Sequence, residues 1–372
     1  MTHPLGRVLF SATALAALVL AAIGAGPKGP RTLEKLLAND KPGNPPAALN
    51  PNKEEFDPST AVAINQAEAR VCLQRESMLN FPCLQNLGPA EAQILASHEH
   101  GVSFDALANI NQPTAEALAQ CKSHLVLNGV AQLDAPSAQA LARCQATLKL
   151  KGLTDLSSPA LAAKLARQGR VDLPNVGKLD GAVLAAFCTA PCDLYLRRLV
   201  VLQARDAEVL RNHVGVLDID GLVNPLPNVL ACILCNQGTI GLGAMNNLGG
   251  PAPKAVLDAL TAHQGSLCLN GLQALAVVEA NAIRDRNHRT DLDGLEILDL
   301  PTAIALRDCK SVVSLVGVKS LAPDVVKVLL QRDRDRGPGL VFSAILPANL
   351  LPHEVKEIRD HPGLSFGNEF SP

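Results

Sequence analysis

The chain has 372 residues, 48% of them apolar but only 2% aromatic, with no Trp and a single Tyr. A core made from Leu, Val, Ile and Ala alone suits thin stacked layers better than one deep globule. With 33 basic against 35 acidic residues the net charge is -2, which excludes the basic footprint of a nucleic-acid-binding protein.

In chain order, Arg7 precedes an apolar run from Val8 to Ile23 that is closed by Gly24, Ala25 and Gly26. The run is shorter than the ~20 residues a membrane-spanning helix needs. Residues 1–26 are therefore predicted to be a signal peptide or an N-terminal membrane anchor, the tether running through residues 8–23. Lys28, Arg31 and Lys35 come after the run, so charge asymmetry does not choose between the two. Export to the cell envelope or the extracellular space is the expectation in either case. Residues 27–58, with Lys41-Pro42-Gly43-Asn44-Pro45-Pro46 at their centre, read as a Pro-rich linker. Ser59 or Thr60 can cap a helix over 59–78, whose Val62, Ile64, Val71 and Leu73 would cover the open end of the repeats beyond it.

A repeated unit then takes over. Units start at Leu79, Val102, Leu125, Leu148, Val171, Leu194, Leu217 and Ile240, each start 23 residues after the one before. Further starts fall at Leu267, Thr290, Val313 and Leu340, with a partial unit at Leu364. The longer intervals carry Gly249-Gly250-Pro251-Ala252-Pro253 and Asp333-Arg334-Asp335-Arg336-Gly337-Pro338-Gly339, compositions that belong in loops. Within a unit, positions 1, 3, 6 and 9 are apolar, as in Leu267, Leu269, Leu272 and Leu275. Their period-2 start predicts a strand, and Asn128-Gly129 or Asp220-Gly221 at positions 4 and 5 a tight bend. Positions 14 and 17 are apolar at helical spacing, as in Leu184 and Phe187, while the unit at Leu148 departs with Lys164 at position 17. One such unit cannot bury its apolar face, but a stack can. Strands lie ~4.8 Å apart and packed helices ~8–10 Å, so the stack must curve with strands inside. The predicted fold is an α/β solenoid of about 12 units over 79–363, horseshoe-shaped, with parallel strands on the concave face and helices on the convex face. Residues 364–372 supply a terminal strand and tail.

The Leu-x-Leu-x-Gly-Leu-x-x-Leu half of the unit and the unit length resemble the leucine-rich repeat family, as do Cys121, Cys144 and Cys309 at position 20 of short bacterial-type repeats. The usual Asn of the turn is displaced: position 6 here is Leu or Val, and Asn, when present, stands at position 4. The resemblance implies a partner-binding scaffold, usually without catalysis.

Several motifs invite sharper readings. Cys232-Ile233-Leu234-Cys235 has redox spacing, but phase puts it late in a helix, away from the N-terminus that would stabilise a thiolate. Cys121 and Cys144 share a phase and so predict either a buried thiol ladder or a bridge, given an oxidising compartment. Gly241-Leu242-Gly243 falls on a strand by phase, not in a phosphate loop. His98-Glu99-His100 reads as a solvated loop between helix and strand. Asp218-Ile219-Asp220 and Asp291-Leu292-Asp293 lack the further oxygens a calcium loop needs. No catalytic residue, metal ligand or cofactor is predicted.

Positions 2 and 4 form the solvent side of the strands. Their charge varies most in the middle, and Tyr195 is the only Tyr. Lys149, Lys151, Tyr195, Arg197, Asp218 and Asp220 are the predicted partner contacts, since Tyr and Arg are the commonest binding anchors. The competing reading is a salt ladder within the sheet. The expected function is a non-catalytic protein-binding scaffold of the cell envelope or extracellular space. The alternative is a structural envelope protein that self-associates through the open C-terminal edge of the solenoid.

Overall fold

The computed structural model describes residues 56–248, 252–333, 339–343 and 351–366. The expected signal or anchor (1–26), its tether (8–23), nearly all of the Pro-rich linker, most of the two Gly/Pro insertions and the tail after 366 lie outside these residues.

Strands and helices alternate throughout. The strands are β1 (Leu79–Phe81), β2 (Val102–Phe104), β3 (His124–Val126), β4 (Thr147–Lys149), β5 (Arg170–Asp172), β6 (Asp193–Tyr195), β7 (Leu217–Asp218), β8 (Ile240–Gly241), β9 (Leu267–Cys268), β10 (Thr290–Asp291), β11 (Val313–Leu315), β12 (Leu340–Phe342) and β13 (Leu364–Phe366). Helix α1 (Gln66–Cys72) precedes β1. The helices between strands are α2 (Pro89–Ala96), α3 (Gln112–Leu118), α4 (Ala135–Ala142), α5 (Pro159–Ala166), α6 (Gly181–Phe187) and α7 (Ala204–Leu210). They continue as α8 (Pro227–Leu234), α9 (Lys254–Ala262), α10 (Val277–Arg284), α11 (Leu300–Arg307), α12 (Pro323–Leu329) and α13 (Pro352–Arg359).

Every described strand pair is parallel, and unit starts face unit starts. Leu79 lies opposite Val102, Leu194 opposite Leu217, and Ile240 opposite Leu267 despite the longer interval between them. Leu340 lies opposite Leu364 in the same way. The core phase is therefore the same on both sides of each insertion. The fold is a leucine-rich-repeat-like α/β solenoid, one strand and one helix per turn.

The local reasons are repetitive. A polar N-cap starts many of the helices: Asn111, Asp134, Ser158, Asp180 and Asp299 each accept the backbone N–H of the third helical residue. Pro at the first or second position adds a fixed φ where no donor is lost. Helices this short are unstable alone, so their order comes from burial. Leu217 on the strand, Ile219 just after it, and Leu230 and Ile233 on the helix are all buried. Each such side chain contributes about 1.5–3 kcal/mol on leaving water. Phe81 and Phe104 stack at 5.5 Å between centroids and stiffen the first two turns.

The cap helix is shorter than 59–78, and Ser59 does not start it. Asn65 accepts from Glu68 N–H at 2.9 Å and the Glu68 carboxylate accepts back from Asn65 N–H, so α1 begins at Gln66. The Ser59 hydroxyl instead donates to the Asp57 carboxylate in a local turn.

The strands form two sheets, β1 to β4 and β5 to β13, where the repeat pattern predicts one. The joint falls at the unit that departs in sequence. There α5 starts one residue later in the phase, and the Gln168 side-chain oxygen takes Leu148 N–H at 2.6 Å. In regular junctions that donor goes to the next strand, as Leu217 N–H does to Thr239 O at 2.8 Å. Lys164 is not a core residue: its ammonium donates to Ala146 O at 2.9 Å. Helices α5 and α6 pack together across the joint, so the helix layer is continuous.

A polar ladder runs along the interior where each turn leads into the next strand. His98, His213, Asn236, His263, Arg286, Arg332 and His361 are all buried there. A helix end leaves orphan carbonyls, and most rungs reach back to those of the previous turn, while His213 Nε2 lies 3.3 Å from Val216 O just ahead of it. Asn236 Nδ2 donates to Leu210 O at 3.1 Å and His213 O at 2.8 Å. Arg286 donates to Leu260 O at 2.9 Å and Gly265 O at 2.6 Å. Arg332 donates to Cys309 O at 3.1 Å, and the Cys144 thiol lies 3.7 Å from Cys121 O. His98 is therefore not a solvated loop residue. Its ring nitrogens lie 3.0 Å from Arg75 O and 3.2 Å from Gly101 O.

Candidate functional site

The strand side opposite the helices carries positions 2 and 4 of each unit, and the predicted residues separate there into two plates. Lys149, at the end of β4, and Lys151 just after it are exposed and belong to the first sheet. Tyr195 closes β6, Arg197 comes just after it, and Asp218 closes β7, all in the second sheet.

Polar contacts link them. Lys151 Nζ pairs with Asp172 at 3.0 Å across the joint, and Asn175 Nδ2 donates to Lys151 O at 2.9 Å. The Tyr195 ring is half-buried between two guanidinium groups, Arg170 at 4.4 Å and Arg197 at 5.6 Å from its centroid. Such contacts restrain the ring. Arg197 Nε donates to Asp218 Oδ2 at 3.1 Å, and that bond raises the guanidinium above its ordinary value. The salt ladder expected from sequence is therefore present.

Asp218 does not face solvent as its phase suggested: it is 8% exposed, covered by Arg197. Other position-2 side chains are buried too, Ser103 at 4% and Ser314 at 1%, because adjacent strands only ~4.8 Å apart crowd the side chains between them. Position 4 does a second structural job that sequence reading missed. Asp220 Oδ1 accepts Gly243 N–H at 2.6 Å, Asn270 Oδ1 accepts Asp293 N–H at 3.0 Å, and Asn128 Oδ1 accepts Lys151 N–H at 3.4 Å. Each bond spans 23 residues and satisfies the bend of the next unit. Burial raises the Asp220 carboxyl, with the Gly243 bond opposing it. Gly243 has no Cβ because one would sit 2.9 Å from the Asp220 carboxylate.

The other motifs fall at ordinary structural positions. Cys232 lies late in α8 and Cys235 is its C-cap. All ten cysteines are free thiols. Gly241 ends β8, and Gly243 stands two residues beyond it. No group of three or more His, Cys, Asp or Glu among the described residues is placed to hold a metal ion. No helix among the described residues is long and apolar enough to cross a membrane.

No protein-family model matches the chain, and no curated protein matches it. Solved structures do. A leucine-rich repeat protein of Leptospira interrogans is similar at 14% identity over 92% of this chain and 88% of its own, with a TM-score of 0.45. An internalin of Listeria monocytogenes is similar at 10% identity over 83% of this chain and 90% of its own, with a TM-score of 0.41. A chain of the complex of Rad7 and Elc1 in yeast is similar at 12% identity over 82% of this chain and 83% of its own, with a TM-score of 0.36.

Proposed function

We propose that this protein is a non-catalytic protein-binding scaffold whose contact surface is the strand side from Lys149 to Asp220. The observation that carries the reading is the Tyr195 ring held between Arg170 and Arg197. An aromatic anchor already fixed by cations loses little freedom on binding. Asp218 and Asp220 are engaged within the sheet, so they shape the surface, while Lys149, Tyr195 and Arg197 supply its contacts.

Export to the cell envelope or beyond rests on the apolar run from Val8 to Ile23. Cell fractionation with N-terminal mass determination tests it, and a cytosolic chain with an uncleaved N-terminus rejects it. For binding, the full chain is cross-linked to native envelope material and its partners identified. Tyr195→Ala with Arg197→Ala is expected to abolish capture; unchanged capture removes this surface from the reading. Self-association is the second reading, favoured by one observation: β13 pairs only with β12 among the described strands. Light scattering separates the two, since a stable monomer rejects self-association.

A further inference from the structure

The last turn of α8 tightens. Cys235 N–H is shared between Ala231 O and Cys232 O, each at 3.2 Å, and Asn236 N–H goes to Ile233 O at 3.0 Å. A bond from the carbonyl of one residue to the N–H three further on is the 3₁₀ pattern, which lines up the side chains of those two residues. In a turn so bonded the two α-carbons lie within ~7 Å, the span a disulfide can close. At this helix end the two residues are both cysteines.

The two thiols also share an environment. Ile233 and Leu234 between them are buried against the core, whereas Cys232 and Cys235 are half-buried on the flank and both are free thiols. A small oxidant therefore reaches the pair without unfolding the helix. Other neighbouring cysteines lack this combination: Cys121 and Cys144 are both buried, and Cys192, four residues after the half-buried Cys188, is buried. Burial pushes the Cys232 thiol up, Glu208 and Cys235 add to the rise, and Arg211 opposes it. A strongly basic thiolate is a poor leaving group, so a bridge ending on Cys232 is cleaved slowly. The pair is suited to keeping a bridge, not to passing one on.

We propose that Cys232 and Cys235 are a redox modification site, oxidised by a small disulfide of the glutathione class to a bridge within the last turn of α8. The chemistry is two successive thiol–disulfide exchanges. One thiol of the pair loses its proton and attacks a sulfur of oxidised glutathione, whose S–S bond breaks to release one glutathione thiolate. The other thiol, deprotonated in turn, attacks the protein sulfur of that mixed disulfide and expels the second glutathione. The protons of the two protein thiols end on the two glutathione thiols. The protein pair is oxidised and the glutathione disulfide reduced by the same two electrons. Asn236 follows directly and donates to Leu210 O and His213 O, so the bridge fastens the helix end from which that rung of the ladder springs. The site lies in the helix layer and is independent of the strand-side contact reading.

The test equilibrates the full reduced chain in glutathione buffers of rising oxidised fraction. Exchange is quenched with acid, free thiols are blocked with N-ethylmaleimide, and the chain is digested with trypsin for mass mapping. The tryptic peptide 212–254 contains these two cysteines and no other. The expected product is this peptide with no alkyl group and two hydrogens fewer than its dithiol form, restored to the dithiol by dithiothreitol. It should be the main form at buffer compositions where Cys232→Ser and Cys235→Ser each still hold their remaining cysteine mostly as a thiol, because a neighbouring thiol outcompetes free glutathione. Far-UV circular dichroism of the bridged chain should match that of the reduced one. A peptide 212–254 that stays doubly alkylated, or takes two glutathiones, across the whole series overturns the inference. So does a bridge that forms only in urea or at the cost of helix signal, since the native helix end would then hold the thiols apart. Equal oxidation of the wild type and the single variants at every buffer composition overturns it as well.

Discussion

Asn236 Nδ2 lies 2.8 Å from the backbone oxygen of His213, one full turn of the solenoid earlier. The same side chain also donates to Leu210 O and accepts Gly238 N–H, and the residue is fully buried. Asn236→Ala takes the side-chain partner from His213 O and Gly238 N–H, while Leu210 O keeps the His213 N–H at 3.0 Å. A loss of about 2–4 kcal/mol is expected from urea unfolding. Asn236→Asp should fare no better, because a carboxylate cannot donate to the two carbonyls.

The neighbouring rungs make stability depend on pH. Burial holds the His213 and His263 imidazoles below the ordinary histidine value. His263 Nδ1 donates to Asn236 O at 2.7 Å, which the neutral ring does without help. Between the folded value and the unfolded one near 6.5, only the unfolded chain takes up the proton. Stability is thus fully present above about pH 6.5 and falls as the pH drops from there through the folded values. The urea midpoint is expected to fall between about pH 7.5 and about pH 5, and His213→Gln with His263→Gln should flatten that fall.

Arg286 is a cation enclosed by neutral groups. Its guanidinium donates to backbone oxygens of the previous turn and to Thr290 Oγ1, and burial pushes it down to about 10. Arg286→Lys keeps the charge but cannot match the planar fork. A loss of about 2–3 kcal/mol is expected for it, and more for Arg286→Ala, in the same unfolding assay.

Thiol chemistry should sort the cysteines by depth. Cys83 is exposed, whereas Cys72, Cys121, Cys144, Cys192 and Cys309 are buried. Burial pushes the Cys72 and Cys192 thiols up to about 11. Native alkylation with subsequent peptide mass mapping should label Cys83 first and the buried five only after unfolding. Early labelling of Cys144 would place it outside the interior ladder.

Much of this architecture was legible because the 23-residue phase survives insertion: Ile240 and Leu267 still face one another. The features that escaped notice were polar. His98, Cys121, Cys144, His213 and Asn236 recur just ahead of a strand, and that recurrence marks the ladder. It was hidden because the rungs differ chemically while sharing one task, satisfying backbone carbonyls, those of the preceding turn for His98, Cys144 and Asn236 and those just ahead for Cys121 and His213. Alternation likewise marked Asp218 and Asp220 as outward-facing, but alternation carries no information on how closely strands crowd their concave side. The sheet joint was half visible, in Lys164 standing where a core residue was expected. Gln168 completes it, and a glutamine beside a glycine gives no warning that its side chain will occupy a ladder bond.

That joint has a mechanical consequence. Helices α5 and α6 remain in contact there while the backbone ladder on the strand side is interrupted. A stack hinged along its outer layer and split along its inner one bends most easily at the split. Any widening between Lys149 on one side and Tyr195 on the other has to break the Lys151–Asp172 pair and the Asn175 bond to Lys151 O, while the rungs within each sheet stay made. The strand side at this joint is accordingly held by side-chain links rather than by a backbone ladder.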